Sequence, residues 1–232
     1  MLMEASALAR RKGLVHHALA LGLGMLRFRD NRLDEAQELF RESRALCKAE
    51  GDRVSEYQAN EYLVMLELQR GRLEDAREGC NELLMLGEKL REGSEAPFAR
   101  AMLGLCNYAI DDEPEGLDAA LRDLRIADAK HRLAYVLSRA AIFDCERGRI
   151  DRAVVRATEA LDHATQLERA SEMLVANAVL AHAFAVQGRQ RESMAHAKEA
   201  ERLASGGAAV WARELAHRWT EARVGMAEGG ST

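Results

Sequence analysis

An all-α solenoid of antiparallel helix pairs is the fold this sequence predicts, and three observations carry it. A six-residue turn pattern recurs at nearly constant period. Apolar residues fall at helical spacing on both sides of each copy. Only 2 prolines interrupt 232 residues, and few enforced breaks favour long helices over a turn-rich β-architecture.

The pattern is Asn31-Arg32-Leu33-Asp34-Glu35-Ala36, then Gly71-Arg72-Leu73-Glu74-Asp75-Ala76. It returns as Gly148-Arg149-Ile150-Asp151-Arg152-Ala153 and, more weakly, as Gly188-Arg189-Gln190-Arg191-Glu192-Ser193. A degenerate copy begins at Asp111 and contains Pro114 and Gly116. Starts at 31, 71, 111, 148 and 188 give spacings of 40, 40, 37 and 40. Each copy reads as a turn between two helices. Its Gly or Asn takes the left-handed conformation that ends the first helix. The acidic residues that follow complement the positive end of the second, and Pro114 suits a first helical position. The small residue five places on, Ala36, Ala76, Gly116, Ala153 or Ser193, lets the two helices approach closely.

The elements follow in order. The first pair spans 13–30 and 32–49, the second 54–70 and 72–90, the third 95–110 and 114–130. The fourth spans 131–147 and 149–167, the fifth 170–187 and 189–204. Gly51-Asp52, Gly93-Ser94 and Gly206-Gly207 supply stop and cap signals between pairs. A last helix over 208–226 carries Trp211, Leu215, Trp219 and Ala222 on one stripe. That stripe is expected to seal the open end of the fifth pair; the other reading is an exposed tryptophan face that pairs with a second copy or with a C-terminal neighbour. One continuous domain over 1–227 is expected, with a frayed tail at 228–232.

Composition narrows the function classes. A net charge of −5 excludes an overall basic footprint for nucleic acid, and no run of 18 apolar residues offers a membrane span. Arg outnumbers Lys 28 to 5, but the arginines interleave with Glu and Asp along second helices, the pattern of solvated, ion-paired faces. Cys47, Cys80, Cys106 and Cys145 form no C-x-x-C pair and read as small buried hydrophobes in a reducing compartment. Arg10-Arg11-Lys12 before the apolar stretch from Leu14 to Leu26 imitates a signal peptide. His16 and His17 within that stretch, and Arg27 and Arg29 after it, argue against one. A cytoplasmic protein is expected.

At this point the chain resembles the tetratricopeptide repeat family over about residues 13–204, through the small residue of the first helix, the Gly turn and the small residue early in the second. The 40-residue period looks more like the extended repeats of the maltose-regulator type of bacterial transcription activator and related signalling ATPases and kinases. Where that family has an aromatic early in the first helix, this chain has Ala20, Asn60, Arg100, Leu137 and Asn177. The resemblance implies a right-handed α-α superhelix. It also implies a non-catalytic protein–protein interaction scaffold in bacterial signalling or transcription regulation, its concave groove lined mainly by first helices. The alternative is the small-effector sensor module of a larger bacterial regulator.

Projected on that register, the groove positions are Met25, Phe28, Tyr62, Met65, Met102, Leu105, Tyr108, Ile142 and His182. Met and aromatic side chains there suit the apolar face of a partner helix or an extended peptide. Families that grip a C-terminal carboxylate project basic residues where this chain has Leu21, Glu61, Ala101, Ser138 and Ala178. Catalytic, cofactor and metal residues are not expected. No H-E-x-x-H, G-x-x-x-x-G-K-[ST] or G-x-G-x-x-G occurs, and His16 and His17, consecutive on a helix, should point apart. The best alternative constellation pairs His182 and His196 across the Gly188 turn, with Glu192 one turn from His196.

Overall fold

The computed structural model describes residues 16–90 and 93–228, without the side chains of 220–228. The described residues are all-helical, with no strand among them. The helices are α1 (His17–Arg29), α2 (Leu33–Glu50), α3 (Arg53–Gln69), α4 (Leu73–Leu90), α5 (Glu95–Asp111) and α6 (Pro114–Ile126). They continue as α7 (Lys130–Glu146), α8 (Ile150–Gln166), α9 (Ala170–Val186), α10 (Gln190–Ala204) and α11 (Val210–Glu228). Helix α1 was expected to begin at 13, and residues 13–15 lie outside the described residues. Of the tail expected to fray at 228–232, Glu228 is the last residue of α11 and residues 229–232 lie outside the described residues. The chain divides into two compact units, Met1–Asp123 and Leu124–Thr232.

In the first unit, α1 to α5 pack in consecutive order, and α1 also lies against α3. The turns explain the order. Asn31 (φ 56) and Gly71 (φ 72) sit in the left-handed region. The next amide closes each helix end: the N–H of Arg32 donates to the Arg27 carbonyl at 2.8 Å, that of Arg72 to Glu67 at 2.9 Å. Ala36 and Ala76 are wholly buried where the paired helices meet. The degenerate copy is offset by one residue. Asp112 (φ 61), not Asp111, makes its turn, and Asp111 is the last residue of α5. The small-residue place therefore falls to Leu117, which is fully buried, while Gly116 is exposed. Close approach is kept from the other side: a Cβ on Gly104 of α5 would lie 2.8 Å from the Leu117 Cα.

In the second unit, α9 is the central helix. It packs against α7, α8, α10 and α11, and every side chain from Leu174 to Phe184 is buried. A helix apolar on all sides belongs in such a position. Ala157, Ala160 and Ala164 of α8, with Ala197 and Ala200 of α10, keep its neighbours close. Gly148 (φ 70) and Gly188 (φ 73) repeat the turn, with Arg149 N–H donating to the Asp144 carbonyl and Arg189 N–H to Phe184, both at 2.8 Å. Ser193, fully buried, donates its hydroxyl to the Ala181 carbonyl at 2.7 Å across the pair. Helix α11 buries Trp211 and Leu215, and the Trp219 ring lies 4.9 Å from that of His182.

Two features of this unit differ from the sequence reading. The second helix of the third pair, expected to reach 130, ends at Ile126, because Asp128 (φ 48) turns left-handed and the Ala129 N–H returns to the Leu124 carbonyl. The arginines of second helices are not all solvated. Arg125 does form a partly exposed bidentate pair with Glu159 at 2.6 and 2.7 Å, which holds that carboxyl below the usual glutamate range. Arg156, by contrast, is buried and donates at 2.7 Å to Asp144, which has no exposed surface, with Arg152 at 3.9 Å from the same carboxylate.

Candidate functional site

The first unit presents two surfaces with the makings of a site. On the first-helix side, Met25 of α1 is 41% exposed, and Tyr62 and Met65 of α3 are half-buried. Phe28 is buried beneath them, its ring 6.2 Å from Tyr62 in an edge contact, while Tyr62 stacks on Phe40 at 5.0 Å. Met25 and Phe28 are one turn apart on α1, as Tyr62 and Met65 are on α3. The Phe28–Tyr62 contact therefore joins the two stripes into one apolar surface.

The remaining groove positions are placed differently. Met102, Leu105 and Tyr108 are wholly buried, because α5 carries apolar residues on more than one face. In the second unit Ile142 is 5% and His182 9% exposed, so both serve helix packing. Of Ala20, Asn60, Arg100, Leu137 and Asn177, at the position that is aromatic in tetratricopeptide repeats, three are polar, and each has a partner: Arg100 lies 3.6 Å from Asp123, and the two asparagines are hydrogen-bonded. Asn60 donates to the Glu56 carbonyl and accepts from Arg44 at 3.2 Å. Asn177 donates to the Met173 carbonyl and shares a 2.8 Å hydrogen bond with His196 Nδ1.

The histidines do not gather. His182 meets Trp219, whereas His196 meets Asn177 and the Phe184 ring. Burial lowers the pKa of both. His16 and His17 were expected to point apart, yet their rings stack at 4.5 Å. The reason is that His16 is not helical: it caps α1 in an extended conformation, and its Nδ1 accepts from the Ala18 N–H at 3.1 Å. His17 lies 3.6 Å from Glu50 and 3.7 Å from Asp52. Among the described residues no three His, Cys, Asp or Glu side chains are grouped to hold a metal ion, and no helix is long and apolar enough to cross a membrane. All four cysteines are buried free thiols; burial, aided by the charges of Asp144 and Glu146, pushes Cys145 up to about 12.

The second surface is a trough of about 300 Å³ between α2 and α4, floored by α3, which sequence reasoning missed. Helix α2 supplies Gln37, Arg41 and Arg44, and α4 supplies Asp75, Glu78, Gly79 and Glu82, with Arg72 just before its first residue. Leu63 and Val64 of α3 form the floor, between Asn60 and Glu67. Gln37 and Arg70 donate to the same Glu67 oxygen at 2.9 and 3.2 Å. The signal was available in the spacing: residues 37, 41 and 44 share one face of α2, and 75, 79 and 82 share one face of α4. In sequence, the charged residues of these faces have the pattern of an ordinary solvated surface. Comparison of the chain with protein-family models, and with curated proteins, gives no match.

Proposed function

We propose that the chain is a non-catalytic binding scaffold of the tetratricopeptide type, built of five helix pairs and a capping helix, that offers first-helix surface to a peptide or partner domain. The observation that carries this reading is the layer of first helices. Helix α1 lies against α3 in the first unit, and α7 and α11 lie against α9 in the second. Such packing follows when pairs share one kind of turn and a close helix contact, made by Ala36, Ala76, Ala153 and Ser193 in four pairs and by Gly104 against Leu117 in the third.

Within that layer the binding surface is Met25, Tyr62 and Met65, with Phe28 as its buried support. Methionine adapts to irregular partners, and two stripes one turn long suit anchors at i and i+3 or i+4 of an amphipathic helix. The role of α11, with Trp211 buried, is to cap the repeat. Recognition is by apolar complementarity, with no chemistry done on the partner.

A comparison of wild type with a Met25→Glu/Met65→Glu variant tests the reading. Both side chains are at least partly exposed, so the variant should keep its melting temperature. The expected result is a partner captured by wild type and lost with the folded variant. Equal capture by both would remove the first-helix surface from the function.

A further inference from the structure

We propose that the trough between α2 and α4 binds a free α-amino acid with an aliphatic side chain. This inference stands apart from the scaffold reading, because the two surfaces share no residue.

The trough is sorted by charge. Its two ends are occupied by the protein's own pairs: Arg44 lies 3.6 Å from Glu82 at one, and Arg72 lies 3.7 Å from Glu67 at the other. Between them Arg41 stands on the α2 wall and Asp75 and Glu78 on the α4 wall, and among the described residues none of these three makes an ion pair. The floor beneath is Leu63 and Val64. Gly79 keeps it open: a Cβ at that position would lie 3.0 Å from the Val64 Cγ2.

One cationic wall, one anionic wall and an apolar floor together describe a small zwitterion with a hydrocarbon side chain. A carboxylate suits the planar fork of the Arg41 guanidinium. An ammonium suits the carboxylates of Asp75 and Glu78, and an aliphatic group covers Leu63 and Val64, removing apolar surface from water. A dicarboxylate would set like charge against the α4 wall, and a diamine would set it against Arg41. The volume of about 300 Å³ admits one amino acid. Because the three charged groups are exposed, binding should weaken as salt rises.

The test is calorimetric titration and thermal unfolding of the full chain with L-leucine and L-valine. At about 10 mM ligand the melting temperature should rise by roughly 2 °C, as selective binding to the folded state requires. Leucinamide, which lacks the carboxylate, and 4-methylpentanoate, which lacks the ammonium, should each bind roughly tenfold more weakly. The variants Arg41→Gln and Asp75→Asn/Glu78→Gln, on exposed positions, should fold normally and lose affinity to a similar extent. Several results would overturn the proposal. These are no heat and no shift with either amino acid, full-strength binding by both variants, leucinamide binding as well as L-leucine, or tighter binding of L-glutamate or L-lysine. If Gly79→Val remains folded, it should lose the ligand by filling the floor, and retained binding would count against the site.

Discussion

Gly104 of α5 faces the backbone of Leu117 of α6 so closely that a Cβ on residue 104 would lie 2.8 Å from the Leu117 Cα and 3.0 Å from its nitrogen. Backbone cannot swing aside as a side chain can. Gly104→Ala should therefore separate the third pair and destabilise the protein by about 2–3 kcal/mol, measured by urea unfolding. Gly24→Ala is the comparison: there the added methyl meets the Phe40 ring at 2.5 Å, and Gly24→Ala/Phe40→Leu should recover most of the loss. No such rescue is open to Gly104→Ala through Leu117→Ala, since the clash is with main chain. A rescue by that double variant would show that α5 and α6 are not held at this distance.

The buried pair Asp144–Arg156 ties α7 to α8 at 2.7 Å. Removing one partner leaves the other charge desolvated. Asp144→Ala is expected to cost about 3–5 kcal/mol, whereas Asp144→Leu/Arg156→Met, which removes both charges, should be far less costly. Denaturant titration of the single and double variants checks this. A double variant worse than Asp144→Ala would mean that the pair is needed for more than charge neutralisation.

The architecture was legible because its devices are local. Gly71, Gly148 and Gly188 announce their turns without tertiary information, and the buried alanines at 36, 76 and 153 sit at a fixed offset from them. The third copy was misplaced by one residue although its position was written in the chain. Elsewhere the second helix begins two residues after the turn residue, as Leu33 follows Asn31, so Pro114 as a first helical residue puts the turn at Asp112. Binding surface was harder to read. Helical periodicity marks a side chain as apolar but does not say which neighbour covers it, so Met25 and Met102 look alike in sequence while one is 41% exposed and the other wholly buried. Arg156 shows the same ambiguity among charges: its buried partner lies 12 residues away across a turn, and its immediate neighbours give no sign of that. The trough was missed because helical spacing marks one face on each of two helices but does not say that the space between those faces is open.

His182 and His196 give the second unit a pH dependence. Burial lowers the pKa of both, with the charge of Glu192 working the other way on His196. The folded state therefore prefers neutral rings, while the unfolded chain takes up protons near the ordinary imidazole value of 6.5. Stability from these groups is complete above that value and is lost as pH falls through it, because the unfolded state then binds more protons. Thermal unfolding between about pH 7.5 and pH 5.5 should show a falling melting temperature, with a shallower fall for His182→Gln/His196→Gln. Parallel curves for the two proteins would exclude these rings as the cause.

Glu168 ends the fourth pair in the left-handed region, with φ 53, at a place where other turns of this chain use Gly, Asn or Asp. Its conformation is enforced by the turn, since the N–H of Glu168 donates to the Thr165 carbonyl at 3.1 Å and that of Arg169 to Ala164 at 2.9 Å. A side chain held there costs about 1–2 kcal/mol, against which glycine's extra unfolded-state freedom weighs about 0.5–1 kcal/mol. The side chain is exposed, so its removal forfeits no packing. Glu168→Gly should therefore raise stability by about 0.5–1 kcal/mol, a melting-temperature gain of roughly 1–4 °C for a chain of this size. Asp128→Gly is the internal control: Asp128 is also left-handed, at φ 48, but aspartate tolerates that region better, so its gain should be the smaller. A loss of stability in Glu168→Gly would mean that the carboxylate makes a contribution at this turn larger than the strain it bears.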